Sequence, residues 1–296
     1  MNILKDIKRN FEDGGMEIKL LFVNIGVFLV VLVMQLLIEA LQSINSPPFE
    51  LVKWLAVPAA LGELVYKPWT LLTYNFLHTD LFHILFNMMG LYWFGKLFII
   101  FHKRNTLLPV YLLGGLSGGL LYVIMFNLIP SLSIIPSYAL GASASVMAIV
   151  FAVATLKPEY EVVLMFFGAV RLKYIALAAI VIDVISIFMS SNIGGHIAHL
   201  GGALFGYIFT LQMQKGKDIT LWLSTFISNI TKPRKKPVMK VTYSHGKPTQ
   251  NDREYNASKH EQNLELDKIL DKINKSGYNS LTAEEKEFLF RISDRQ

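Results

Sequence analysis

The chain has 296 residues, 53% of them hydrophobic and 17% charged, and a net charge of +6. Its apolar residues fall in blocks too long for a soluble core, which reads as membrane-spanning helices. The basic surplus sits beside those blocks, a mark of membrane topology and not of nucleic-acid binding. With no cysteine, disulfides, thiolate nucleophiles and thiolate metal sites are excluded.

Residues 1–19 carry Lys5, Lys8, Arg9 and Lys19, and the uncharged run Leu20 to Ile38 is the first expected span. It is long enough to cross and has no small-residue cleavage site after it, so no cleavable signal peptide is expected. Residues 42–68 form a long loop with Pro47, Pro48, Pro58 and Pro68, and Trp54 and Leu55 suit it to the membrane interface. The second span, about 80–100, opens on polar residues: His78, Thr79, Asp80, His83 and Asn87. The third, about 107–128, contains Gly114, Gly115, Gly118 and Gly119, which permit close helix packing.

The fourth span, about 141–156, is short, so its start is expected below the membrane surface. A charged loop, Lys157 to Lys173, leads to the fifth span, about 174–189, which contains Asp183. Residues 190–195 read as a flexible link, and the sixth span covers about 196–214. Lys and Arg alternate by loop in a way that fits six spans with both termini cytoplasmic, the expected location being a bacterial inner (plasma) membrane. Residues 215–260 read as a polar linker, with a basic cluster at Lys232, Arg234, Lys235, Lys236 and Lys240. In residues 261–296, Leu264, Leu266, Ile269, Leu270 and Ile273 form a stripe that ends at Ser276 and Gly277. Thr282 and Glu285 form a capping box for a second helix bearing Phe288, Leu289 and Ile292. A small helical hairpin without chemistry is the expectation.

Candidate chemistry centres on Ser143, in the string Leu140-Gly141-Ala142-Ser143-Ala144 at the start of the fourth span. Small neighbours admit a substrate backbone, and the free N–H groups of a helix start suit a developing oxyanion. His199 shares a helical face with Gly202 and Gly206, so a neighbouring helix can pack tightly on the face that carries the imidazole. Ser143 and His199 both fall near the extracytoplasmic ends of their helices and can form a nucleophile–base pair. His83 and Asn87, four apart on one face of the second helix, are candidate oxyanion donors together with the Ser143 N–H. Asp183 is expected to hydrogen-bond without a catalytic part, His196 to be a solvated helix-start residue and His78 a polar group in a water-accessible cavity. No carboxylate joins the histidines at ligand spacing along the chain, so neither a metal nor a cofactor is expected.

Taken together these residues resemble the rhomboid family of intramembrane serine proteases. The second span, His78 to Gly95 (HTDLFHILFNMMGLYWFG), resembles its H-x-x-x-N helix, Gly141 to Ala144 (GASA) its G-x-S-x motif, and Ala198 to Gly206 (AHLGGALFG) its A-H-x-x-G-x-x-x-G helix. The likeness covers about residues 69–210. It implies Ser143 as nucleophile, His199 as base, and His83 and Asn87 as oxyanion donors, acting on transmembrane protein substrates near the membrane surface. Three positions depart from the common pattern: Ala144 for glycine, Met147 for tyrosine, and Trp69-Thr70 for Trp-Arg.

The expected architecture is thus all-α: a six-helix transmembrane bundle (residues 20–214) after a cytoplasmic segment (1–19), then a linker (215–260) and a cytoplasmic hairpin (261–296). The expected activity is serine-type endopeptidase through an acyl-enzyme, with slow turnover because no third carboxylate orients the histidine. The alternatives are a non-catalytic member that binds transmembrane segments for quality control and a small-solute transporter, the latter disfavoured because no internal repeat is seen.

Overall fold

A computed structural model describes residues 3–41, 50–164, 168–189, 192–231 and 250–293. The Pro47-Pro48 pair, Ser190-Ser191 of the expected link and the basic cluster Lys232–Lys240 lie outside the described residues. The chain divides after Pro233 into two compact units.

In the first unit, α1 (Ile3–Asp13) precedes α2 (Met16–Leu41), α3 (Leu81–Phe101), α4 (Leu107–Leu128), α5 (Ser143–Leu156), α6 (Leu172–Met189), α7 (Ile193–Gln214) and α8 (Leu221–Thr231). The expected spans fall on α2 to α7. Four helices are long and apolar enough to cross a membrane: Met16–Leu41, Leu81–Phe101, Arg104–Leu128 and Leu172–Met189. With the other two they make an all-α membrane bundle. At 14 residues, α5 is only about 21 Å long against a hydrocarbon core of about 30 Å, so it needs protein around it at both ends. α7 has 22 residues, with histidines, glycines and glutamines diluting its apolar character.

Burial ranks the helices. Only 11% of the α2 span is covered by protein against 56% of the α4 span, so α2 is peripheral and α4 central. α5 is more enclosed still, with Ala144, Ser145, Val146, Ala148, Ile149, Val150, Ala152, Val153 and Ala154 all buried. One apolar cluster joins Leu91, Phe98, Val110, Ile149, Val153, Leu172 and Phe209. A second joins Tyr74, Tyr122, Phe126, Ala144, Ile197 and Ala198. The expected helix-packing role of the α4 glycines is met. A Cβ on Gly114 would strike Ala148, and one on Gly118 would lie 2.6 Å from both the Ala144 Cβ and the Ala198 carbonyl oxygen.

Buried polar groups tie the bundle to the turn ahead of α3. Tyr111 Oη donates to the Asn75 carbonyl at 2.7 Å, Ser145 Oγ donates to Asn75 Oδ1 at 3.1 Å, and Asn24 Nδ2 donates to Tyr111 Oη at 3.1 Å. Tyr74 Oη donates to the Gly115 carbonyl. Each satisfies a group that lipid could not. The 50–73 stretch holds short helical turns and β1 (Val57–Pro58), which pairs antiparallel with β2 (Tyr138–Ala139) just ahead of Ser143. The charged loop after α5 contains a hairpin absent from the sequence reading. β3 (Glu161–Leu164) pairs with β4 (Gly168–Arg171). Arg171 bridges Glu159 and Glu161, and Lys173 also holds Glu159. The Lys173 hydrogen bond, with help from Arg171, pulls the Glu159 carboxyl below its ordinary range.

The residues between α7 and the tail are not simply a polar linker. Leu221, Trp222, Leu223, Phe226, Ile227 and Ile230 supply the apolar run of α8, and α9 (Gln250–Ser276) begins well before residue 261. In the second unit, Gly277 takes φ +77° and ψ 160° after α9, a conformation open essentially to glycine alone. α10 (Ala283–Ser293) then starts on the expected capping box, with Thr282 N–H to Glu285 Oε2 at 2.7 Å and Glu285 N–H to Thr282 Oγ1 at 3.3 Å. Lys272 Nζ meets Glu285 at 2.8 Å across the hairpin, and Ile269 and Leu281 are buried in it. Leu264 and Leu270 of the expected stripe stay exposed.

Candidate active site

The site is set by how α5 and α7 pack. A Cβ on Gly202 would fall on the Ala144 carbonyl oxygen, and one on Gly206 on the Ala148 carbonyl oxygen. Two contacts, each advancing four residues along both helices, mean that α5 and α7 run parallel in close contact. His199 stands three residues before Gly202 and Ser143 one before Ala144, so both project from the same end of the pair. Ser143 and His199 are each half-buried. Among the described residues no hydrogen bond joins them; in enzymes such bonds are often long until substrate is present.

Gly141 leads the chain into α5 with φ +123°, and its N–H donates to the Tyr74 carbonyl at 2.9 Å. That conformation suits glycine, and so does the space. A Cβ there would lie 2.7 Å from His83 Nε2 and 3.6 Å from Ser143 Oγ. His83 and Ser143 therefore flank the same small volume beside Gly141. α3 aims His83 there because Asp80 caps the helix, its Oδ1 accepting the His83 N–H at 2.8 Å. His83 is also within electrostatic reach of His199.

Asn87, one turn further on, is buried, and its Nδ2 donates to the His83 carbonyl at 3.0 Å. It shares the His83 face, with one amide N–H engaged on its own helix. His78 stands in the loop ahead of α3. Expected in a water-accessible cavity, it is 4% exposed, with neither ring nitrogen in a hydrogen bond of good geometry and its ring 5.0 Å from that of His83. Burial, reinforced by the neighbouring His83, pushes its pKa down to about 4. Met147, one turn below Ser143, is half-buried.

The sequence reading missed what Asp183 does. A hydrogen bond was expected, and Asp183 makes two: its Oδ1 accepts from His199 Nδ1 at 2.8 Å and from His196 Nδ1 at 2.8 Å. Asp183 is 4% exposed on α6, and the two imidazoles meet edge to face at 5.6 Å. So the expectation that no carboxylate orients the histidine is corrected, and so is the picture of His196 as a merely solvated residue. The objection that no carboxylate joins the histidines is corrected too, since donor atoms of Asp183, His196 and His199 lie within 4.8 Å of one another. The available signal was a lone carboxylate in an apolar span, which needs a partner. Sequence spacing hid the partner because the carboxylate and the imidazoles lie on different helices.

A Rhomboid domain matches residues 66–215, and a family of unknown function (DUF6576) matches residues 250–295. The chain is 35% identical over 159 residues to RHOMBOID-like protein 12, mitochondrial, of Arabidopsis thaliana, covering 50% of this chain and 47% of that protein. It is 31% identical over 139 residues to Presenilin-associated rhomboid-like protein A, mitochondrial, of Danio rerio, covering 45% of this chain and 34% of that one. Against the human Presenilin-associated rhomboid-like protein, mitochondrial, it is 26% identical over 182 residues, or 61% and 43% of the two chains. The match thus spans about half or less of each relative's length. Relatives named as mitochondrial lend no support to a bacterial inner membrane. The matched domain contains the packed α3, α4, α5, α6 and α7, with every candidate site residue among them, and the chain belongs to the rhomboid family of membrane proteins.

Proposed function

We propose that the chain is an intramembrane serine endopeptidase in which Ser143 and His199 form the catalytic pair. The observation that carries this reading is the glycine-mediated register of α5 and α7, which sets the two residues at one end of a tightly packed helix pair. Neutral His199 takes the Ser143 proton on Nε2 as Oγ attacks a peptide carbonyl. His83, Asn87 and the Ser143 backbone N–H donate to the oxyanion. Collapse expels the amine, which receives the proton from His199, and leaves an acyl-enzyme. Water then attacks the ester, with His199 again taking a proton and returning it to Oγ.

The substrates are transmembrane protein segments, entering beside α6, whose outer face exposes Leu177, Val181, Ile182 and Ile185. Both chain termini lie on the basic side of the membrane, opposite the site; the alternation of Lys and Arg among the loops supports this. The reading needs no metal or cofactor. The test is cleavage of a transmembrane reporter by the purified chain in detergent. Ser143→Ala and His199→Ala should each abolish it while the protein stays inserted and folded. Full cleavage by folded Ser143→Ala would end the assignment. A second reading is a member that binds transmembrane segments without cutting them. It predicts a folded wild type that binds the reporter and never cleaves it.

A further inference from the structure

We infer that Asp183 is a positioning residue for this catalytic pair, holding His199 in the tautomer that can accept the Ser143 proton and stabilising the imidazolium that forms. The inference rests on the protease reading above and adds a third member to it. An ionised carboxylate only accepts hydrogen bonds, so each imidazole nitrogen 2.8 Å from Asp183 Oδ1 must carry the hydrogen. With its hydrogen on Nδ1, His199 has its lone pair on Nε2, the atom left for Ser143.

The cost of the carboxylate argues for the same role. Asp183 sits 4% exposed in α6, whose one other charged residue, Lys173, stands at its start, and an unpaired carboxylate there is expensive. The partners found for it among the described residues are the two imidazoles, and α7 presents both at i, i+3 spacing on one face. A packing residue could have been apolar. A carboxylate earns its place at this depth by stabilising a positive charge that appears only during turnover.

The same three groups have the chemistry of a zinc site, with donor atoms within 4.8 Å of one another. Ligand atoms about 2.0–2.1 Å from a tetrahedral zinc stand roughly 3.3 Å apart. The observed separations from the carboxylate oxygen are both 2.8 Å, the spacing of an N–H···O hydrogen bond. In this arrangement hydrogen bonds close the cluster.

The proton inventory closes. The Ser143 proton moves to His199 Nε2 and leaves with the departing amine, and none passes to Asp183. The titratable groups facing His199 are Asp183 from α6, His196 on its own helix and His83 from α3. Losing the carboxylate removes the group that stabilises the imidazolium, so the pH–rate profile changes. Losing His196 leaves the carboxylate oxygen to His199 alone, and the profile changes there too.

The experiment measures kcat, KM and the pH dependence of kcat/KM on a transmembrane reporter for the full-length chain in detergent, with thermal unfolding to score the folded fraction. Asp183→Asn should lower kcat roughly tenfold or more, toward the ~10⁴ seen when the equivalent carboxylate of a serine-protease triad becomes an amide. KM should hold and the pH–rate profile should change. Asp183→Glu should recover part of the loss, and His196→Ala should change the profile as well. Wild-type kcat and pH profile in folded Asp183→Asn would overturn the inference. So would loss of wild-type activity to a chelator such as EDTA. If Asp183→Asn does not fold, His196→Ala alone decides, and an unchanged pH–rate profile there would overturn the inference. A wild type that shows no Ser143-dependent cleavage would remove the protease reading and this inference with it, an outcome distinct from all of these.

Discussion

Gly202 lies against the backbone of Ala144 so closely that a Cβ would land on the carbonyl oxygen, and this contact fixes the level of His199 relative to Ser143. Gly202→Ala should therefore push α7 off α5, costing about 1–3 kcal/mol as an overpacked core does, and remove cleavage through misregister. Gly26→Ala is the control. Nothing lies within 4 Å of a Cβ there, in the middle of α2, so it should leave activity unchanged and stability level or slightly higher. Equal unfolding temperatures and activities for the two variants would show that close helix contact does not set the site.

His83→Ala and Asn87→Ala should slow turnover without abolishing it. Removing one oxyanion donor costs about 10²–10³ in rate, and the Ser143 N–H remains in either variant. The two should differ. His83 Nε2 already flanks the volume beside Gly141 and Ser143, whereas Asn87 has one amide N–H engaged on its own helix. His83→Ala should be the more damaging, read as kcat at saturating reporter. Wild-type kcat in both would take α3 out of the site.

His78 gives the fold a dependence on acid. In the folded chain burial depresses its pKa to about 4, while the unfolded chain binds the proton near the ordinary 6.5. Between those values the unfolded state holds more protons, so the stability associated with neutral His78 is complete above about 6.5 and is lost as pH falls toward 4. The unfolding temperature in detergent should drop from pH 7.5 to pH 5, and the drop should be shallower in His78→Gln. Parallel curves for the two proteins would show that His78 does not titrate in this window.

The helices expected to span were legible because runs without charge in lipid leave the backbone little choice but helix. Ser143, His199 and His83 were legible for a related reason: polar groups at a span's end stand out. What the sequence hid lies between helices. Asp183 and His199 are separated by the α6–α7 connection, and no periodicity reports that one faces the other. The β3–β4 hairpin was hidden by its charges, which read as a solvated loop until Arg171 is seen to bridge Glu159 and Glu161. α8 was missed because its apolar run is too short to span and was absorbed into a polar stretch. The capping box at Thr282 was readable because both its bonds are local in sequence.

The C-terminal hairpin offers a test of stability separate from chemistry. Thr282→Ala removes the side-chain oxygen that accepts the Glu285 N–H and should cost about 1 kcal/mol of hairpin stability. Reporter cleavage should be unchanged, since no candidate catalytic group lies in residues 250–293. Loss of cleavage with an intact membrane bundle would assign the hairpin a regulatory part.

The most direct test of the account is covalent labelling of the nucleophile. The purified full-length chain, treated with a serine-reactive fluorophosphonate and mapped by peptide mass spectrometry, should carry one adduct on Ser143. Ser143→Ala should carry none, and His199→Ala should label far more slowly because no base is left to take the proton. A folded wild type that takes no label at Ser143, or a Ser143→Ala variant that labels as fast as wild type, would contradict the assignment.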